Sequence, residues 1–171
     1  KAFEFGALAT AAQLVGAGQA MLDMAVEYAK QRTQFGTVIG SYQAIKHKLA
    51  DVHIAVELAR PLVYGAALAL ADDSPTLARD VSAAKVAANE AALLAARSSL
   101  QTHGAIGFTQ EHDLSLLLLR TQALRSAWGP APPSAMGNHK APRGHLDPVW
   151  ARSARPKSAA QCRPSDRPRP P

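Results

Sequence analysis

Apolar residues recur along the first three-quarters of the chain with the spacing of helices packed on one side. From about Phe3 to Arg32, Leu8, Val15, Leu22 and Ala29 repeat every seven residues, with the small residues Ala11, Gly18 and Ala25 between them. Such a stripe faces a core and lets a neighbouring helix approach closely. A glycine-bearing loop, Gly36 to Gly40, follows, and Ser41 is the expected N-cap of the next helix. There Ile45, Leu49, Val52, Val56, Ala59, Val63, Ala66 and Leu70 step by four and three in alternation, the seam of an antiparallel bundle. Pro61 lies inside this helix and removes one N–H, so a kink is expected. Asp72-Asp73-Ser74-Pro75 reads as a turn, with Ser74 as cap and Pro75 at the first helical position. An alanine-rich third helix, Pro75 to about His103, carries the stripe Val81, Ala84, Ala88, Ala91 and Ala95. After the break at residues 104–107, a fourth helix spans about His112 to Trp128 and ends at Gly129-Pro130. No strand alternation and no internal repeat interrupts the series. The pattern predicts an all-α, up-down-up-down antiparallel four-helix bundle over residues 1–129.

The pattern stops at Pro130. Residues 130–171 hold ten of the twelve prolines, and so Pro-rich a composition buries too little apolar surface to offset chain entropy. We expect a disordered, basic, Pro-rich C-terminal tail. It accounts for the whole net charge of +6, because 11 basic residues balance 11 acidic ones up to Gly129. A basic footprint confined to such a tail gives the folded part no reason to bind nucleic acid. A solvated extension, an acid-binding arm and a non-native stretch, such as an out-of-frame read would produce, all fit the tail. The start at Lys1 suggests a piece of a longer chain. No apolar run is long and uninterrupted enough for a membrane span, and no leader peptide is recognisable. Cys162, the single cysteine, forms no internal disulfide, which fits a reducing, cytoplasmic setting.

Metal chemistry finds no support. His47 and His53 do not share a helix face, His103 and His112 flank a loop, and no HExxH or paired ExxH spacing occurs. Phosphate-loop and nucleophile–base motifs are also missing. Two polar stretches remain. The first, Tyr28-Ala29-Lys30-Gln31-Arg32-Thr33-Gln34-Phe35-Gly36, continues through Tyr42 and Gln43 to Asp51; the second runs from Gln101-Thr102-His103-Gly104-Ala105 to Phe108, then Glu111-His112-Asp113. Each joins a helix end to a glycine-bearing loop. Arg32 offers a planar fork of donors suited to a diphosphate. Phe35 offers an apolar face, Gln43 opens a helix whose N-terminus favours an anion, and Gly104 lets backbone approach a ligand. Ordinary turns would look the same one at a time.

Together the two stretches resemble the acyl-CoA dehydrogenase pattern: a Tyr, then Arg, then Phe-Gly, then a Gln opening the next helix, and later Gln followed by Gly-x-x-Gly-aromatic and Glu. The resemblance covers about Phe3 to Gly129 and identifies the bundle as similar to the family's C-terminal domain. It implies homotetramers, or related assemblies, that oxidise the Cα–Cβ bond of acyl-CoA thioesters with FAD and pass electrons to an electron-transfer flavoprotein. It further implies that Arg32 and Phe35 contact the FAD diphosphate region across a subunit boundary, that Tyr42 and Gln43 add two contacts, and that Gln101, Thr102, His103, Gly104 and Ala105 meet the FAD of a neighbouring subunit. Ala105 stands where a second Gly is frequent. The family's base position falls at Trp128, and an alternative one on the first helix falls at Gly6; neither residue can accept a proton. Glu4 is expected to face away, and Asp113 and Glu111 are weaker substitutes. No residue of this chain is therefore assigned as catalytic. With the middle β-domain missing, this fragment cannot hold FAD alone. Three readings stand: a fragment of such a dehydrogenase, a non-catalytic partner completing a neighbour's FAD site, or a plain helical oligomerisation module.

Overall fold

A computed structural model describes residues 1–109 and 111–129; the proposed tail at 130–171 lies outside the described residues. Four helices follow in chain order: α1 (Ala2–Gln31), α2 (Gln43–Ala71), α3 (Leu77–His103) and α4 (Leu114–Ser126). Side-chain contacts fix their directions. Lys48 of α2 bonds to Gln101 of α3, Tyr28 of α1 stacks on His103 of α3, and Lys85 of α3 reaches the backbone of Leu124 in α4. The C-terminal ends of α1 and α3 and the N-terminal ends of α2 and α4 thus share one end of the bundle, as up-down-up-down topology requires.

The core is where the periodicity places it. Leu8, Ala11, Val15, Leu22, Ala25 and Ala29 are buried on α1, Leu49, Val52, Val56, Ala59, Val63 and Ala66 on α2, and the alanine stripe on α3, while Ile45 and Leu70 at the ends of the α2 seam are partly buried. Small residues let α1 and α3 approach until the Ser99 hydroxyl donates to the Met21 carbonyl at 2.7 Å. A Cβ on Gly18 would already touch Val56 at 3.3 Å. Close packing of this kind derives its stability from many short contacts between thin side chains rather than from a few large ones.

Several local expectations are corrected. A short antiparallel hairpin occupies part of the first loop: β1 (Thr33–Gln34) pairs with β2 (Thr37–Val38). Ser41 does not cap α2; its hydroxyl donates back to the Val38 carbonyl, and Tyr42 is the N-cap without a side-chain bond. The third helix begins at Leu77 rather than Pro75, because Ser74 Oγ accepts the Thr76 N–H and forms a separate turn before the helix. The fourth helix ends at Ser126, after which Ala127 is extended and Trp128 takes φ +59°.

By length and composition alone α1 and α2 could each cross a membrane, with mean hydropathy of 1.2 and 1.5 over their most apolar windows. Thr10, Gln13 and Gln19 interrupt the apolar run of α1, and Glu57 and Arg60 that of α2, but the average is high. In α1 the apolar residues form the bundle core. In α2 the inner seam does the same, while Ile54, Leu58, Leu62 and Leu68 lie exposed along the other side.

Candidate functional site

The two polar stretches meet at one end of the bundle. Arg32 follows the last residue of α1 in an extended conformation, its N–H donating to the Tyr28 carbonyl at 2.9 Å and its carbonyl accepting the Ile39 N–H at 2.8 Å. This bond and the β1–β2 pairing fold the hairpin back beside the end of α1. At the hairpin tip Phe35 and Gly36 both have positive φ, +53° and +81°, the twist a two-residue hairpin needs. For phenylalanine that conformation costs roughly 1–2 kcal/mol. It holds the ring out with 95 % of the residue exposed. The Tyr42 hydroxyl donates to the Gln34 carbonyl at 3.1 Å and ties the hairpin to the start of α2. Gln43 is the first residue of α2, exposed, in a first turn that holds no acidic residue and no side-chain cap. The helix N-terminus, Arg32, Lys46 and Lys48 together favour an anion here. No ion pair among the described residues engages Arg32.

From α3, Gln101 presents its amide to the same end, its Oε1 accepting from Lys48 Nζ. Gly104 ends the helix at φ +66°, ψ −138°, exposed, with open space where a Cβ would stand. Ala105 is also exposed. Thr102 and His103 correct the sequence reading: both side chains point inward. Thr102 Oγ1 donates to the Ser98 carbonyl at 2.8 Å, and His103 is 4 % exposed, stacked on Tyr28 at 4.6 Å. Seven of the nine expected cofactor residues therefore face solvent at one end of the bundle (Arg32, Phe35, Tyr42, Gln43, Gln101, Gly104 and Ala105). Sequence reasoning missed Lys48, whose role rests on a partner 53 residues away.

The two positions where the resemblance implies a base, Gly6 and Trp128, lie at the other end. Gly6 and Trp128 are in contact: a Cβ on Gly6 would stand 2.4 Å from the indole carbons Cδ2 and Cε2. The two alternative base positions thus converge on one point in space, and the Trp128 indole fills it. Phe3 meets that ring edge-on at 6.1 Å. Together with Glu4, Ala7, Val81 and Lys85 these rings line a cavity of about 130 Å³. Glu4 is a correction, since it borders the cavity rather than facing away. Glu4 and Ala7 share one face of α1 at i, i+3, and the cavity extends along that face toward α3. Lys85 is buried. Its ammonium donates to the Leu124 carbonyl at 2.7 Å and to Asn89 Oδ1 at 3.3 Å, and burial lowers its pKa. The charge satisfies a terminal carbonyl of α4 and fixes the segment that carries Trp128. Glu111 and Asp113 are exposed at the opposite end of α4, so neither reaches this cavity. Among the described residues no group of three or more His, Cys, Asp or Glu is arranged for a metal ion.

The family model for the acyl-CoA dehydrogenase C-terminal domain matches residues 1–131. The chain belongs to the acyl-CoA dehydrogenase family. It is 43 % identical over 114 residues to the acyl-CoA dehydrogenase IpdE2 of Mycobacterium tuberculosis, a match covering 67 % of this chain and 34 % of the relative. Among solved structures it is similar to butyryl-CoA dehydrogenase from Megasphaera elsdenii, with TM-score 0.73 and 32 % identity over 78 % of this chain and 35 % of that one. It is also similar to a chain of the ChsE4–ChsE5 complex from Mycobacterium tuberculosis, with TM-score 0.72 and 30 % identity over 78 % and 36 %. The acyl-CoA dehydrogenase chain described here thus spans about a third of the length of these relatives, and corresponds to their C-terminal helical domain.

Proposed function

We propose that this domain belongs to a flavin-dependent acyl-CoA dehydrogenase that forms an α,β-double bond in an acyl-CoA thioester, and that the domain supplies FAD contacts and an assembly surface. Acyl-CoA dehydrogenases depend on FAD, which when bound accepts the β-hydrogen of the substrate as hydride. The observation that carries the reading is the convergence of Arg32, Phe35, Gln43, Gln101 and Gly104 at one solvent-facing end of the bundle. An exposed aromatic ring, a guanidinium without an ion-pair partner among the described residues and an open glycine backbone are what a dinucleotide would need there. In this reading Arg32 binds the diphosphate, Phe35 packs beside a ring, and Gln101 and the backbone at Gly104 hydrogen-bond the same molecule.

The FAD would be shared between subunits. Helix α1 has 30 residues and is about 45 Å long, farther than an extended dinucleotide reaches. A flavin gripped at Arg32 therefore cannot be the one served from the Gly6 end of the same chain. Proposed partners are a second dehydrogenase chain of the same or another kind, acyl-CoA as substrate and an electron-transfer flavoprotein as acceptor. The packing of Trp128 over Gly6 favours a second reading, in which this subunit completes a neighbour's site and provides no base of its own.

The test is flavin content. The full-length protein, purified alone and with its partner chain, should carry the flavin absorbance band. Arg32→Ala should weaken flavin affinity by at least about tenfold, since a charge-assisted hydrogen bond contributes roughly 1.5–3 kcal/mol. Unchanged flavin affinity in that variant, with assembly intact, would remove Arg32 from the site. No flavin in any pairing would leave the domain as an oligomerisation module.

A further inference from the structure

We propose that Tyr28, His103 and His112 form a clasp that positions the flavin-facing turn at Gln101–Ala105, and that the clasp holds only while its imidazoles are neutral. This rests on the reading that the turn contacts flavin.

Three elements meet in the clasp. Tyr28, in the last turn of α1, stacks on His103 with ring centroids 4.6 Å apart and 29° between planes. His103, the last residue of α3, meets His112 edge-on at 4.8 Å and 67°. His112 stands just before α4 and accepts the Leu114 N–H on Nδ1 at 3.2 Å. That bond is the side-chain cap α4 otherwise lacks, because Asp113 provides none. Tyr28 and His103 also adjoin the site. The Tyr28 carbonyl accepts the Arg32 N–H, and His103 directly precedes Gly104. Gly107, in the turn that follows, packs so closely that an added Cβ would lie 3.2 Å from His103 and 3.3 Å from Leu114. Moving the imidazole stack therefore moves Arg32 relative to Gln101 and Gly104.

The hydrogen bonds set the protonation states. His103 Nδ1 donates to the Ser99 carbonyl at 2.8 Å, which leaves Nε2 without its proton in the neutral ring. A second proton would place a cation in a site with 4 % exposure. His112 can cap α4 only with Nδ1 bare, since a proton there would face the Leu114 N–H. Around His103 the titratable neighbours are Tyr28 from α1 and His112 from the α4 side. The turn at 104–108 contributes none, Glu111 and Asp113 beside His112 are exposed, and Lys48 from α2 reaches as far as Gln101. Burial depresses the His103 pKa, the Ser99 carbonyl works against burial, and His112 adds to the depression. A histidine whose folded pKa is depressed stabilises fully above its unfolded value, about 6.5. That stability falls away as pH drops below it toward the folded pKa. Acid should therefore loosen the turn.

The experiment uses the full-length protein, with its partner chain if flavin retention requires it. Flavin release is followed by the fluorescence of freed FAD after a step from about pH 8 to about pH 5.5, and thermal unfolding is recorded at both values. Wild type should release flavin about tenfold faster at the lower pH. His112→Asn keeps an acceptor for the Leu114 N–H, and His103→Phe keeps the stack on Tyr28; His103→Phe should flatten the profile to under about twofold, and His112→Asn should lower its slope. If both variants fold and release flavin with the wild-type pH slope, the clasp is refuted. If no flavin binds even at about pH 8, the cofactor reading fails, and the clasp is then judged on melting alone. A wild-type Tm that falls with acid while the His103→Phe Tm does not supports it; equal falls overturn it.

Discussion

Gly6 is the residue where a single methyl group decides most. A Cβ there would overlap an aromatic ring at 2.4 Å, and a ring cannot give way as a flexible chain end can. Trp128 itself takes φ +59°, a conformation uncommon for a bulky residue. The indole is thus held by its contact with Gly6 and by Phe3 against a backbone preference. Gly6→Ala should destabilise the protein by about 1–3 kcal/mol, the usual range for overpacking a filled site. Trp128→Ala should absorb most of that loss when the two are combined, because the clash needs both partners. Urea unfolding of the four members of the cycle reads this coupling directly, and additive effects would mean that the two residues do not touch. The resemblance located both positions in the sequence. Their contact was not legible there, because it depends on α4 ending at Ser126 and the chain turning back, which no local periodicity encodes. The inward turn of Thr102 and His103 was hidden for a similar reason. Their orientation in the last turn of α3 is set by the Ser98 and Ser99 carbonyls and by the Tyr28 ring, the last of these on another helix.

At the scale of elements, α2 poses a different question from the rest. Its inner seam was plain from the three-four spacing, and the helix runs through Pro61 without a break in its assignment. Yet Ile54, Leu58, Leu62 and Leu68 are exposed on one side, with Leu58 at 66 % and Leu68 at 65 %. A contiguous apolar stripe of this kind marks an interface more often than a solvated face. A similar solved chain belongs to the ChsE4–ChsE5 complex, and we propose the stripe as a subunit contact of the full-length protein. Leu58→Asp with Leu68→Asp should dissociate the full-length assembly while leaving helicity nearly unchanged, because neither side chain enters the bundle core. Light scattering after size exclusion, paired with far-ultraviolet circular dichroism, checks both halves of that expectation. Unaltered mass would move the interface elsewhere. The hairpin at 33–38 was not legible in the sequence: strands of two residues are too short to show alternation. The sequence offered only Phe-Gly at the tip, and glycine without a hairpin-length run on each side reads as a loop.

For the molecule as a whole, the decisive fact is that its two sites are a helix length apart. The residues proposed to face flavin close one end of the bundle, and the Gly6–Trp128 contact closes the other. In an assembly, each chain would then present its Arg32 end to a flavin whose substrate is deprotonated elsewhere. If this chain is paired with one that bears a carboxylate, half of the active sites would have a base and half would have an indole in its place. Positioned general bases typically contribute 10²–10⁴-fold. Rapid mixing of the full-length assembly with acyl-CoA should therefore bleach only the base-served fraction of the flavin quickly, about half in an equal pairing, and the remainder at least about 10²-fold more slowly. The full-length chain alone should show the slow phase only. Trp128→Glu, which puts a carboxylate where the indole now covers Gly6, should recover part of the fast phase in the chain alone. Rapid bleaching of all the flavin in the unmodified single chain would mean that another group removes the proton. Glu4, the carboxylate that borders the cavity, would be the first to replace by glutamine.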